Sequence, residues 1–188
     1  MAAITTGIAL TLAALLLFGK AGAAELYGRV VAVADGDTVT VGDTSFAQHR
    51  IRLSAIDAPE RRQAWGEHAR RHLATLVSGR SVLVSWDKRD RYGRIVGRVY
   101  TVACARPECG YTFDVGLEQI RVGLAWHYRD YAREQPPLER ARYAATELAA
   151  RVRHDGLWSD ARPVPPWEFR RPAGERQRSS SPAPLSPG

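Results

Sequence analysis

Between residues 25 and 42 the chain reads ELYGRVVAVADGDTVTVG, with valines at 31, 33, 39 and 41 set between smaller or polar residues. A period of two is the mark of β-strands, and ADGD between the two halves supplies turn residues. A third strand-like run, SFAQHRIRLSAI, offers Phe46, Ile51, Leu53 and Ala55 as core positions. The period then changes. In WGEHARRHLATLVSG, Trp65, Ala69, Leu73 and Leu76 fall three or four apart, and Gly79 marks the end of a predicted helix. RSVLVSWD and IVGRVYTVA read as two further strands around the polar KRDRYGR. DVGLEQIRVG predicts a short helix stopped by Gly123. PPLERARYAATELAARVRHDG predicts a longer one, begun at a proline pair and ended by Gly156.

Five strands, with a helix inserted after the third and helices at the end (about three in all), suit a small closed β-barrel of the OB type. Periodicity alone suits a generic α+β domain equally. From Arg162 the composition turns to Pro, Ser and Arg and ends SSSPAPLSPG, which predicts a disordered tail over 161–188. At the other end, IALTLAALLLFG (residues 8–19) is too short for a comfortable membrane span, and AGAAE supplies small residues for signal-peptidase cleavage. Residues 1–24 therefore read as a signal peptide cut after Ala23 or Ala24, leaving a domain over 25–160 in a secreted or periplasmic protein. No Lys or Arg precedes the apolar run and Lys20 follows it, so an uncleaved anchor with the domain facing outward is the alternative.

Composition narrows this picture. Apolar residues make up 45% of the 188-residue chain, a globular value that excludes disorder throughout. The formal net charge of +7 suits an anionic partner. Of 27 basic residues only Lys20 and Lys88 are lysine, so a general arginine bias explains the charge as well. Cys104 and Cys109 lie in CARPECG without the CxxC or His pair a zinc site needs, and in an exported protein they suit a disulfide across a small loop.

The chemistry concentrates in three short stretches. DGDT (35–38) is an ordinary turn signal by itself, but Asp57 is another acid at a strand end. Carboxylates from separate strand ends can converge on one hard cation, which takes oxygen ligands and leaves positions for water and a phosphate oxygen. Arg52 and Glu60 in IRLSAIDAPE complete a set suited to phosphodiesters: a metal to polarise the phosphoryl oxygen, a carboxylate for water, and an arginine for developing charge. DRYGR (90–94) adds Arg94 as a second guanidinium, with Arg91 and Tyr92 in reach of a neighbouring phosphate.

DGDT, RLSAIDAPE and DRYGR, in this order and roughly this spacing, resemble the thermonuclease (staphylococcal nuclease-like) family, and VGLAWHYRDYA and GLWS resemble its C-terminal part. The similarity runs from about Leu26 to Ser159. The resemblance implies an OB-fold barrel and calcium-dependent hydrolysis of DNA and RNA, with a 3′-phosphate left on the upstream fragment. By motif it implies that Asp37 and Asp57 bind Ca²⁺, joined by the main-chain carbonyl of Ala58, where the family commonly has Thr. It further implies Asp35 behind them, Arg52, Glu60 and Arg94 as the catalytic set, and a base-stacking tyrosine, Tyr131 in preference to Tyr128. CARPECGYTF is longer than the family's usual hairpin connection. The competing expectation is a non-catalytic OB-fold module that binds single-stranded nucleic acid.

Overall fold

The alternation of the first fifty residues builds an antiparallel meander from β1 (Ala24–Val33), β2 (Thr38–Gly42) and β3 (Gln48–Leu53). The structure, a computed structural model, describes residues 23–102 and 110–172. The N-terminal segment 1–22, both cysteines of the expected disulfide and the distal tail 173–188 lie outside the described residues. After the meander come the two-residue strand β4 (Ile56–Asp57), helix α1 (Gly66–Val77), and strands β5 (Ser81–Arg89) and β6 (Ile95–Val102). β5 pairs antiparallel with both β1 and β6. A parallel contact between β3 and β6, with Ile51 opposite Ile95, closes the ring β3-β2-β1-β5-β6. This is the five-stranded OB-type barrel that the sequence predicts, with helices making the whole α+β. Val39, Val41, Ile51, Leu53, Val82, Val84, Ile95 and Val99 fill its interior, each almost wholly removed from water. Burying an aliphatic side chain of this size contributes about 1.5–3 kcal/mol.

Two residues depart from the simple alternation. The β1–β2 register shifts between Val30 and Ala32, so that Val30 is buried while Val31 is exposed. Phe46, expected in the core, is 93% exposed. The carboxylate of Asp43 accepts from the Ser45 and Ala47 backbone N–H groups at 2.8 and 3.0 Å, which turns residues 43–47 into a hairpin loop. Phe46 sits at its tip with φ 64°, and the strand begins only at Gln48.

The remaining elements cover one end of the barrel. β7 (Tyr111–Asp114) pairs with β6 outside the ring and leads into α2 (Val115–Arg121), which the Asp114 side chain caps by accepting from Leu117 N at 3.1 Å. β8 (Trp126–His127) pairs with β4, and α3 (Pro137–Val152) packs on α2. Gly123 stops α2, whereas α3 ends at a left-handed His154 (φ 56°) two residues before the expected Gly156; the two glycines nonetheless touch. A Cβ on Gly123 would stand 2.1 Å from the Asp155 carbonyl oxygen, so only glycine permits the approach.

The tail expectation needs correction over its first part. Residues 166–169 form a single-turn helix, α4 (Pro166–Phe169), laid back across the domain. Trp167 packs edge-on against Trp126 and tilted against Tyr128, with ring centroids 6.2 and 5.7 Å apart. One large aromatic anchor thus orders a segment whose proline and arginine content reads as tail.

Candidate active site

The barrel brings the three stretches into one cleft of about 790 Å³. On its acidic side, Asp37 ends the β1–β2 turn and Asp57 lies in β4. The turn is held from several directions. The Asp37 N–H donates to Asp35 Oδ1 at 3.1 Å, and the Asp37 carbonyl accepts from Leu53 N on β3 at 2.8 Å. Gly36 packs so closely that a Cβ there would stand 2.6 and 2.7 Å from the Ala69 and Ala58 methyl groups. The buried Gln119 side chain on α2 donates to the Gly36 carbonyl at 2.8 Å and to the Ala69 carbonyl at 3.0 Å, with His72 Nδ1 at 2.5 Å from its Oε1.

Asp37 is nearly buried and Asp57 fully so. Arg52, opposite Thr38 on β3, joins them. Its Nη1 donates to Asp37 Oδ2 at 2.8 Å and its Nη2 to Asp57 Oδ1 at 3.0 Å. The Ala58 N–H donates to Asp37 Oδ2 at 3.2 Å, and Thr38 Oγ1 donates to Asp37 Oδ1 at 2.9 Å. Burial pushes the Asp37 carboxyl up from the ordinary carboxylate range, against the opposing pull of Arg52. Burial alone would lower the Arg52 guanidinium, but Asp37 and Asp57 hold it above its ordinary value. The structure therefore makes Arg52 a strut between two buried carboxylates.

Glu60 follows on the loop out of β4, its side chain 38% exposed. Gln63 fixes that loop, accepting from Glu60 N at 3.1 Å while its own N–H donates to the Glu60 carbonyl at 2.8 Å. Gly66 also approaches so closely that a Cβ would stand 1.9 Å from the Glu60 carbonyl oxygen.

The β5–β6 turn supplies the basic side. Asp90 organises it, accepting from the N–H groups of Tyr92 and Arg94 at 2.9 and 3.0 Å and from Arg94 Nε at 2.7 Å. Gly93, at φ 77°, makes the bend. Arg91 and Arg94 lie over the Tyr92 ring at 4.9 and 5.6 Å, and all three residues line the cleft. Tyr131 is half exposed on the cleft, with Lys88 4.8 Å over its ring; Tyr128, also lining the cleft, is held between Tyr131 and Trp167.

Sequence reasoning does not reveal Arg170 as part of this site. Arg170, at the end of α4, donates from Nη2 to Asp57 Oδ2 at 2.6 Å, and from Nη1 to Asp57 Oδ1 at 3.2 Å and to Glu60 Oε1 at 2.7 Å. Its guanidinium, like that of Arg52, is held above its ordinary value by the carboxylates despite partial burial. Gln119 and Gln63 were also missed, since a glutamine in a helix or loop gives no sign of what it will clamp.

Residues 50–160 match the family described as staphylococcal nuclease homologue. An uncharacterized endonuclease of Escherichia coli is 43% identical over 147 residues, which cover 78% of this chain and 86% of the relative. A micrococcal nuclease of Shigella flexneri is 40% identical over 150 residues, covering 79% and 82%. A further uncharacterized endonuclease, from Haemophilus influenzae, is 32% identical over 143 residues, covering 76% and 72%. Arg52, Asp57, Ala58, Glu60, Arg91, Tyr92, Arg94 and Tyr131 fall inside the matched range, while Asp35 and Asp37 precede it.

Proposed function

This chain belongs to the staphylococcal nuclease family, and from that premise we propose that it is an exported, calcium-dependent nuclease hydrolysing phosphodiester bonds of DNA and RNA to leave 3′-phosphate ends. The observation that carries the reading is that Arg52 joins Asp37 to the buried Asp57 at the wall of a cleft that Glu60 and Arg94 also line.

The donor set suits a hard divalent cation. Asp37 and Asp57 offer carboxylate oxygens, Ala58 a main-chain carbonyl, and the Arg170 guanidinium already stands as a cation against Asp57. Calcium takes about six to eight oxygen ligands, so waters and a substrate phosphate would complete the set. When bound, the cation would polarise a phosphoryl oxygen and offset its charge.

The protein's own groups would do the rest. Glu60, reachable by solvent, orients a water and takes up its proton as the water oxygen attacks phosphorus in line. The bond from phosphorus to the 5′ oxygen breaks, that oxygen takes a proton from solvent, and a 5′-hydroxyl is left downstream and a 3′-phosphate upstream. Arg94, released from Asp90, would present its fork to the phosphoryl oxygens as charge builds there. Arg52 holds both aspartates in register and adds positive charge. Arg91 and Tyr92 suit the neighbouring phosphate, and Tyr131 offers a ring for a base.

Export, from the N-terminal apolar run, would place the protein where a Cys104–Cys109 disulfide is stable. The test of the activity is direct. Purified protein incubated with plasmid or RNA should cut both in calcium and neither in chelator, giving ends that a 3′-phosphatase makes extendable. Binding of a single strand without cutting in any divalent metal would leave the chain a binding module.

A further inference from the structure

The cleft holds its own cation. Arg170 reaches Asp57 and Glu60 from the far end of the chain, and the segment that delivers it is built onto the domain at several points. Trp65 Nε1 donates to Asp160 Oδ2 at 2.9 Å, where the chain leaves the folded body. Gln63 Nε2 donates to the Val164 carbonyl, so the residue that fixes the Glu60 loop also grips this segment. Trp167 then docks on Trp126 and Tyr128, and the turn of α4 ends at Arg170, whose N–H donates to the Pro166 carbonyl at 3.0 Å.

The charges at the site match this arrangement. Asp37, Asp57 and Glu60 face the guanidiniums of Arg52 and Arg170. Arg52 is a strut within the barrel, but Arg170 comes from a peripheral turn and is 42% exposed. Counted as ionised groups, the set keeps one uncompensated negative charge with Arg170 in place and two without it, the complement of a divalent cation. A doubly charged ion at the same carboxylates is attracted about twice as strongly as a single positive charge at equal distance.

We propose that Arg170 is a built-in competitor for the metal, and that residues 163–171 form a strap which must lift from Asp57 and Glu60 before the cation binds. This rests on the metal-dependent reading above and adds to it a control that sets the site's calcium affinity. The strap closes the cleft when calcium is scarce and keeps a cluster of carboxylates from repelling itself in the metal-free protein. Lifting it also frees the face of Tyr128 that Trp167 covers.

The test is calcium binding by titration calorimetry on the whole protein, with amide exchange followed by mass spectrometry. Arg170→Gln should bind calcium about tenfold more tightly than wild type, within the usual range for coupled sites. Trp167→Ala, which loosens the strap without touching a carboxylate, should move affinity in the same direction. In wild type, calcium should speed exchange at the amides of residues 168–171, whose N–H groups bond within the strap. Equal calcium affinity in all three proteins would overturn the strap and leave the nuclease reading intact. Calcium binding that leaves exchange in 168–171 unchanged would do the same. If neither wild type nor Arg170→Gln bound calcium, the competition and the calcium reading would both fall, and cleavage in other metals would then judge the nuclease reading separately.

Discussion

The backbone N–H of Ala58 donates to the Asp37 carboxylate at 3.2 Å, tying together two acidic stretches that lie 21 residues apart. Such a tie holds only while the Asp37 turn keeps its place against α1. Gly36 and Gln119 secure that place, the one by having no side chain, the other by its amide. Gly36→Ala would set a methyl 2.6 Å from the Ala69 Cβ, so the turn must shift. Calcium affinity should fall while the barrel stays folded. Gln119→Leu leaves the Gly36 and Ala69 carbonyls and His72 without the amide. It should cost about 1–3 kcal/mol in urea unfolding, the usual cost of leaving a buried polar group unsatisfied. Unchanged stability in Gln119→Leu would mean that the clamp does not support the site.

Asp37 also carries a pH signature. Burial raises its carboxyl in the folded state, although Arg52 opposes this. A carboxyl raised on folding favours the folded state at low pH, and that contribution is lost as pH rises through the raised value. Asp37→Asn removes the titration. The stability difference, variant minus wild type in chelator, should therefore climb as pH rises from the ordinary carboxylate range through the raised value. Added calcium should stabilise wild type and do little for the variant. A stability difference that stays flat with pH would show that Asp37 keeps an ordinary carboxyl in the fold.

Arg94 is tied to Asp90 at 2.7 Å and lines the cleft from the β5–β6 turn. In the proposed mechanism its fork acts only as phosphate charge builds, so Arg94→Ala should lower cleavage by about 10²–10³. Calcium affinity should stay as in wild type, because Arg94 bonds to Asp90 and not to Asp37 or Asp57. Arg94→Lys should recover little, since a point charge lacks the fork. Cleavage by Arg94→Ala within a few-fold of wild type, at normal stability, would remove the residue from the mechanism.

Much of this was legible in the chain. The barrel follows from period-two runs at β1, β2, β3, β5 and β6, and two helices stop at Gly79 and Gly123 as their sequence signals say, whereas α3 ends earlier than Gly156, at a left-handed His154. The acidic side of the site follows from two motifs whose residues meet through Arg52. What escaped has identifiable causes. Val31 faces out because a register shift interrupts the alternation, and no period reveals a bulge. Phe46 reads as strand core, but the Asp43 cap three residues earlier makes a loop of it. Arg170 lies 113 residues from Asp57, in a stretch whose prolines and arginines suggest a tail. The signal was Trp167 within PVPPWEFRR: a large apolar side chain seeks cover, and where it docks, its neighbours follow.

Glu60 separates a cutter from a binder more sharply than any other residue. A water attacking phosphorus must be oriented and must lose a proton as the bond forms. Glu60 is the acid of the set with solvent-exposed surface; Asp57 is fully buried, and Asp37 is shared between Arg52, Thr38 and the Ala58 N–H. The close approach at Gly66 and the Gln63 clamp hold its loop at a fixed height over the cleft. Its Oε1 accepts from Arg170 Nη1 at 2.7 Å, so on the strap proposal Glu60 is free to act only once that bond is released. Glu60→Gln keeps the shape and discards the charge. It should lower turnover by about 10²–10⁴, the usual worth of a general base, while binding of a short single strand stays within a few-fold of wild type. Because Glu60→Gln also loosens the strap, both rates must be read at saturating calcium. Single-turnover cleavage beside strand binding, in both proteins, makes the comparison. Equal cleavage would show that another group handles the water. A parallel loss of binding and cleavage would recast Glu60 as part of the metal and phosphate cradle.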